Sequence, residues 1–240
     1  STPIANPYNP DGTLKRTIRM PLDENWVKTK ETVEALGDKW IDQTRTLGTY
    51  NSAYAEIKLP YIEGLRYRIN GGLDFRYSQS GSYTGEGVFS SNPKNESSAS
   101  FSSSQSFHWV VENLLMYDKT FMDKHQINFV GLYSAELSRY NRFYVSARNI
   151  PSDNFQFYNI GQALGEINVN ANAQYYEQSG LMSLMGRLIY SYDNRYMMSV
   201  AIRSDGSSRL AEGHKWHTYP AISIGWNISN EKFMKNILAY

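Results

Sequence analysis

No cysteine occurs among the 240 residues, which excludes a disulfide scaffold, a thiolate metal site and a cysteine nucleophile. Neither sign of charge is in excess. The 24 basic and 23 acidic residues leave +1, so nothing draws the whole chain to nucleic acid or anionic lipid. Mean hydropathy is −0.53, and no apolar run approaches the roughly 18 residues that a spanning helix needs, which excludes a helical membrane protein. The same lack leaves a membrane β-barrel open, because barrel strands alternate and average out as polar. The chain begins at Ser1 without a methionine, a basic n-region or an apolar h-region, so no export signal is visible, which is uninformative for a processed or truncated chain. What the chain has in quantity is aromatic rings: 19 Tyr, 10 Phe and 5 Trp, 14% of its residues. At 27.5 kDa its length suits one large domain or two small ones.

Residues 1–49 read as irregular. Pro7, Pro10, Asp11 and Gly12 are turn chemistry. Between Glu24 and Arg45, Trp26, Val27, Val33, Leu36, Trp40 and Ile41 follow a loose helical period broken at Gly37, which predicts one short helix. From Asn51 the period becomes two. Leu65, Tyr67, Ile69, Gly71, Leu73, Phe75 and Tyr77 share one face, and Arg66, Arg68, Asn70, Gly72, Asp74 and Arg76 the other. Strands in soluble proteins average about 5–6 residues. Alternation over 13 residues is therefore the pattern of a strand between two different solvents. Segments at 51–59, 107–117, 127–137, 182–192, 196–203 and 222–228 repeat it less cleanly. Asn113 is a polar blemish on an otherwise apolar face. The fold class expected is all-β, with about seven antiparallel strands.

Connections alternate in length. Pro60–Gly64, Asp118–Lys124 and Asp193–Asn194 are short, whereas Ser78–Ser104, Ser138–Ser179 and Ser204–His217 are long. Such segregation puts all short turns at one end, as in an outer-membrane barrel with short periplasmic turns and long external loops. A soluble sandwich has no reason for it. Tyr61, Tyr117, Phe121, Tyr192 and Tyr196 fall beside the short turns, where an interfacial girdle would sit.

Two runs now carry a resemblance. One is Gly186 to Tyr196 followed by Arg203-Ser204-Asp205-Gly206-Ser207-Ser208-Arg209; the other is Tyr219 to Phe233, which contains Gly225-Trp226, Ser229 and Glu231. Together with Glu112 to Phe121 upstream, they resemble the central barrel of SusC-like TonB-dependent outer-membrane transporters. The resemblance covers about residues 51–233. It implies a barrel of about 22 strands around an N-terminal plug, set in the lipid of a Gram-negative outer membrane of the Bacteroidetes type. It also implies a SusD-like surface lipoprotein as lid, coupling to the TonB energy complex through an N-terminal region, and a glycan or peptide as cargo, with no nucleic-acid partner. Residues 1–49 are then an external loop region with a short helix, and 50–240 an internal part of the barrel. About seven is an odd count, while bacterial single-chain barrels close with even ones.

No catalytic, metal or cofactor site is assigned. His214 and His217 lie in a loop with no convergent carboxylate. Asp205-Gly206-Ser207-Ser208 lacks both the alternating ligands of a calcium loop and the flanking glycines of a P-loop. Asp74, Glu112 and Glu136 could form a glycosidase pair, but they are ordinary wall partners for Arg66, Arg68, Arg76, Arg187 and Arg203, all expected on the lumen face. Expected external contacts are Tyr140, Arg142, Tyr144, Phe155, Phe157 and Tyr158, since aromatic faces beside guanidinium and amide donors suit sugars or peptides. Loop self-packing and docking to the lid are competing uses for these residues. Ser97–Ser106 reads as a loop tip. The expected function is energy-coupled nutrient import. A passive porin or structural barrel, and a soluble carbohydrate-binding β-sandwich, remain alternatives.

Overall fold

The computed structural model describes residues 30–237 continuously, together with 6, 8–13, 15, 17–19 and 24–26. Strands β1 (Thr17–Arg19) and β2 (Glu24–Trp26) form a small antiparallel pair with Thr17 opposite Trp26. Helix α1 (Lys30–Leu36) carries Glu31 in its first turn and gives way at Gly37, where φ is +53°, to a 3-10 turn over Gly37–Lys39. The short helix predicted from the sequence is therefore present, but narrower than its period implied.

Seven long strands follow: β3 (Trp40–Lys58), β4 (Leu65–Thr84), β5 (Ser98–Phe121), β6 (His125–Arg148), then, after the two-residue β7 (Ile167–Asn168), β8 (Tyr175–Tyr192), β9 (Tyr196–Ser207) and β10 (Trp216–Trp226). Each pairs with its neighbour in the chain, in the order β10-β9-β8-β6-β5-β4-β3, and β7 pairs β6. A 3-10 turn (Ile228–Asn230) and helix α2 (Lys232–Ile237) come last. The all-β expectation of about seven strands in sequential order holds.

Most strands run longer than the sequence expectation, although β10 ends at Trp226, before Ile228, and β3 at Lys58. β3 begins at Trp40 and not at Asn51, β4 continues seven residues past Tyr77, and Ser98–Ser106, read as a loop tip, lies in β5. The long connections shrink to 85–97, 149–174 and 208–215. Serine and threonine supply no hydropathic contrast, so alternation fades where they replace apolar residues. The strands persist because hydroxyls meet across them: Thr44 with Ser80 (3.0 Å), Thr46 with Ser78 (2.9 Å) and Ser82 with Ser100 (2.8 Å). The short turns stay short. Met122–Asp123 and Asp193–Asn194 both take positive φ, the hand that suits tight hairpins, in connections that run only from Phe121 to His125 and from Tyr192 to Tyr196.

The chain divides into two compact units. The first takes Ser1–Leu47, Tyr77–Ser104 and Asn141–Tyr175, and the second Gly48–Arg76, Gln105–Tyr140 and Tyr176–Tyr240. In the first, Tyr83, Ala99, Ala147, Ile150, Phe157 and Ile160 form a core, with Phe101, Val145 and Phe155 packed on it. Every buried hydrophobic residue among those described belongs to this unit.

The second unit is different in kind. Its β8, β9 and β10 pair without interruption, from Leu181 opposite Ser207 to Tyr192 opposite Tyr196, and from Trp216 opposite Gly206 to Trp226 opposite Tyr196. Register puts Leu184, Leu188, Val200, Ile202, Ile222 and Ile224 on one face, yet Leu184 is 51% exposed and Ile224 82%. A sandwich would bury such a face against a second sheet. Here the apolar face is ordered and uncovered, as on a wall whose neighbour is hydrocarbon.

Candidate functional site

The opposite face of the second unit carries charge. Arg66 pairs with Asp118 across β4 and β5 (2.5 Å) and lies 3.8 Å from Glu56. Asn128 of β6 donates to the same Asp118. Arg68 donates to Asn70 (2.7 Å), which donates to Glu112 (3.0 Å), and its guanidinium stands 4.1 Å from the Tyr54 ring. Arg76 donates to the Tyr50 hydroxyl. His108 of β5 sits between Asp74 of β4 (3.7 Å) and Glu136 of β6 (3.8 Å). Six of the eight residues expected on the lumen face thus take part in cross-strand contacts over β3–β6. Arg203 donates to Asp205 (2.9 Å) and Ser183 (3.2 Å), and Arg187 occupies the register position opposite Ala201. Asp74, Glu112 and Glu136 each have a basic or amide neighbour, an arrangement suited to a polar wall.

The blemish on the apolar face is resolved by a neighbour. The Tyr67 hydroxyl donates to the Asn113 side chain at 2.5 Å, so the two polar groups satisfy each other.

In the first unit the segment 149–174 is tied to the strands beneath it. The Ser97 hydroxyl accepts from the Ile150 amide (2.8 Å) and donates to the Ile150 carbonyl (3.2 Å). The Tyr83 hydroxyl, on a side chain 1% exposed, donates to Asp153 (2.7 Å). The Phe157 ring lies over Gly81, where a Cβ would come within 2.4 Å of it, and stacks on Phe101 at 6.3 Å. Of the expected external contacts, Phe157 is therefore buried and Phe155 packs beside it, so loop self-packing takes both. Tyr158 is 64% exposed, accepts from Gln43 (2.9 Å), and borders a cavity of about 310 Å³ with Arg45 and Gln79. Tyr140 falls in the second unit and Arg142 is exposed on β6. The six do not converge on one site.

Tyr144 lines a larger, polar cavity of about 510 Å³ with Ser82, Ser98, Ser100, Ser146, Arg148, Glu166 and Asn168. The strand period aims Ser98 with Ser100, and Tyr144 with Ser146 and Arg148, to one side of their strands. Asn168 of β7 stands opposite Ser146, and the Arg148 amide donates to the Glu166 carbonyl (3.1 Å). Hydroxyls both donate and accept, and with Arg148, Glu166 and Asn168 beside them this lining offers hydrogen bonds to a ligand rich in hydroxyl or amide groups. Sequence reasoning missed the serines by reading them as a loop. The signal was present as period two: Ser78, Ser80 and Ser82, then Ser98, Ser100, Ser102, Ser104 and Ser106.

The motifs that carry the family resemblance are used for folding. Arg203 clasps Asp205, the Trp216 ring covers Gly206, and Ser208 and Gly180 exchange hydrogen bonds at 2.8 and 2.9 Å. Glu231 accepts from the Tyr196 hydroxyl (2.7 Å), the Trp226 indole (3.2 Å) and Arg195 (3.0 Å), closing the segment after β10 onto the β8–β9 turn. The Tyr196 hydrogen bond, then the indole and the guanidinium, hold its carboxyl below the ordinary 4.5.

No protein-family model matches the chain. Among curated proteins it is 36% identical over 126 residues to TonB-dependent receptor P39 of Formosa agariphila, covering 52% of this chain and 12% of that protein. Over 95% of its length it is 25% identical to TonB-dependent receptor P3 of the same organism, covering 22% of that protein. A 63-residue stretch is 41% identical to the TonB-dependent receptor SusC of Bacteroides thetaiotaomicron, 26% of this chain and 6% of SusC. In fold it matches the solved structure of the RagAB peptide transporter with a TM-score of 0.75 over 95% of this chain, and the open-open state of the RagAB peptide importer with 0.78 over 96%. In each case it covers 24% of the other chain at 16% identity. The chain spans less than a quarter of the length of these relatives. They agree with the resemblance drawn from the sequence and with a segment of a large β-barrel as its fold.

Proposed function

We propose that this chain, a stretch of wall from a SusC-like TonB-dependent outer-membrane transporter, serves the energy-coupled import of an oligosaccharide or peptide. The observation that carries the reading is the second unit's sheet, apolar and uncovered on one face and cross-linked by charge on the other, with no buried hydrophobic residue among those described. Such a sheet separates hydrocarbon from an aqueous lumen, and Arg66, Arg68, Asp74, Arg76, Glu112, Glu136, Arg187 and Arg203 line that lumen. The function involves no covalent chemistry. Binding outside, movement of a plug and release inward would constitute the work.

The residues before Trp40 serve as an external loop region, and the barrel wall starts at Trp40, where β3 begins, rather than at residue 50. Tyr144, Arg148 and the serines around them supply contacts to the cargo, with Tyr158 and Arg142 as outlying ones. A surface lipoprotein caps the external end, and a TonB-type complex acts through a region outside this chain.

The test is uptake by cells carrying the full gene, with the energy-coupling complex present or deleted. Import lost on deletion supports the reading, while import that continues unchanged identifies a passive pore. Tyr144→Ala with Arg148→Ala should weaken cargo binding by roughly tenfold, the equivalent of about 1.4 kcal/mol, without lowering the amount of inserted protein. Unchanged affinity, measured by calorimetry, would remove the serine-lined cavity from the path.

A further inference from the structure

The apolar face of the second unit contains a trough of about 530 Å³, floored by Gly131 of β6 and Gly186 of β8 and walled by Leu115, Tyr133, Leu184 and Ile202. Two polar pairs border it, Tyr67 with Asn113 at 2.5 Å and Ser204 with Thr218 at 3.0 Å, and each pair is hydrogen-bonded within itself. A trough designed for water or a polar ligand would point unpaired donors inward. Internal pairing is what hydrocarbon demands of any polar group in contact with it.

Neither backbone conformation nor crowding demands these glycines. Register runs unbroken through Gly186, with Met185, Gly186 and Arg187 opposite Arg203, Ile202 and Ala201, so it marks no bulge. Neither glycine takes a positive φ, and a Cβ would meet only ordinary contacts, at 3.5 Å for Gly131 and 4.0 Å for Gly186. Gly81 and Gly206, by contrast, are filled by the Phe157 and Trp216 rings. Glycine inside a strand weakens it and marks a bulge, a tight barrel bend or a close approach by something else, and the room left open above these two suits the last.

We infer that the trough is a seat for one acyl chain of a membrane lipid, held in place along the outside of the wall. The trough is continuous with the exposed apolar face of β8–β10, and this inference rests on the membrane placement of that face rather than on what is transported. A second copy of the chain, which would cover the same face with protein, is the competing occupant.

The test uses the full-length transporter, extracted from its outer membrane in mild detergent and weighed by native mass spectrometry. Wild type should carry a satellite peak one lipid heavier. Gly186→Leu and, independently, Gly131→Leu should lose it, while Gly71→Leu, on the same face outside the trough, should keep it. The two trough variants protect the test against failure of either to insert. Equal lipid retention in wild type and both trough variants overturns the inference. So does a change in oligomeric state with lipid retention unaltered.

Discussion

Glu231 shows how much one residue can hold together. Its carboxylate receives Tyr196, Trp226 and Arg195 at once, so the last stretch of the chain closes on the tight β8–β9 turn that lies far from it in sequence. Because its folded pKa lies below the ordinary 4.5, it contributes stability above that value and loses it as pH falls through the lowered one. Thermal unfolding in detergent, followed from about pH 7 to about pH 3, should therefore show a decline in the acid limb that Glu231→Gln flattens. An identical acid limb in the variant would show that the clasp adds nothing to stability. Sequence reading noted Glu231 as part of a family motif without a reason for it, since its three donors converge only through the pairing of β8, β9 and β10.

Among elements, the segment 149–174 has the most to explain. A connection of that length without structure of its own is uncommon in compact domains. Here Ser97, Tyr83 and Gly81, all below it on strands β4 and β5 or at their edge, fasten its first half. Tyr83→Phe leaves Asp153 without its donor, and Ser97→Ala leaves the Ile150 amide without its acceptor, each at a cost of about 1–3 kcal/mol. Hydrogen exchange should accelerate over 149–166 in either variant and remain unchanged over β8–β10. Uniform acceleration across the sheet would mean that the fastening is global rather than local. Phe155 and Phe157 look from the sequence like exposed ligand contacts, and it is this fastening that turns them inward.

For the whole molecule the deciding property is what each face of the sheet meets. Leu73 and Asp74 are adjacent in β4 and point to opposite sides, Leu73 on the apolar face and 41% exposed, Asp74 beside His108. Leu73→Arg at mid-bilayer should cost about 2–4 kcal/mol, whereas Asp74→Asn should cost little. Reversible unfolding into denaturant from lipid vesicles measures both, and equal small effects would contradict the assignment of faces. Period two, read from the sequence alone, determined the strands, their number, their chain order through short turns, and the faces of β4, because side-chain direction in a strand follows from local backbone geometry. It failed where serine and threonine erase the contrast between faces, which hid ten or so residues of β3 and the serine-lined cavity. Tertiary structure alone decided which aromatic residues are buried, why Asn113 is tolerated, what Glu231 holds and where two glycines leave a trough. Each depends on groups from different strands meeting at distances of a few ångströms, and pairing across strands is a property of the sheet that no single stretch of sequence contains.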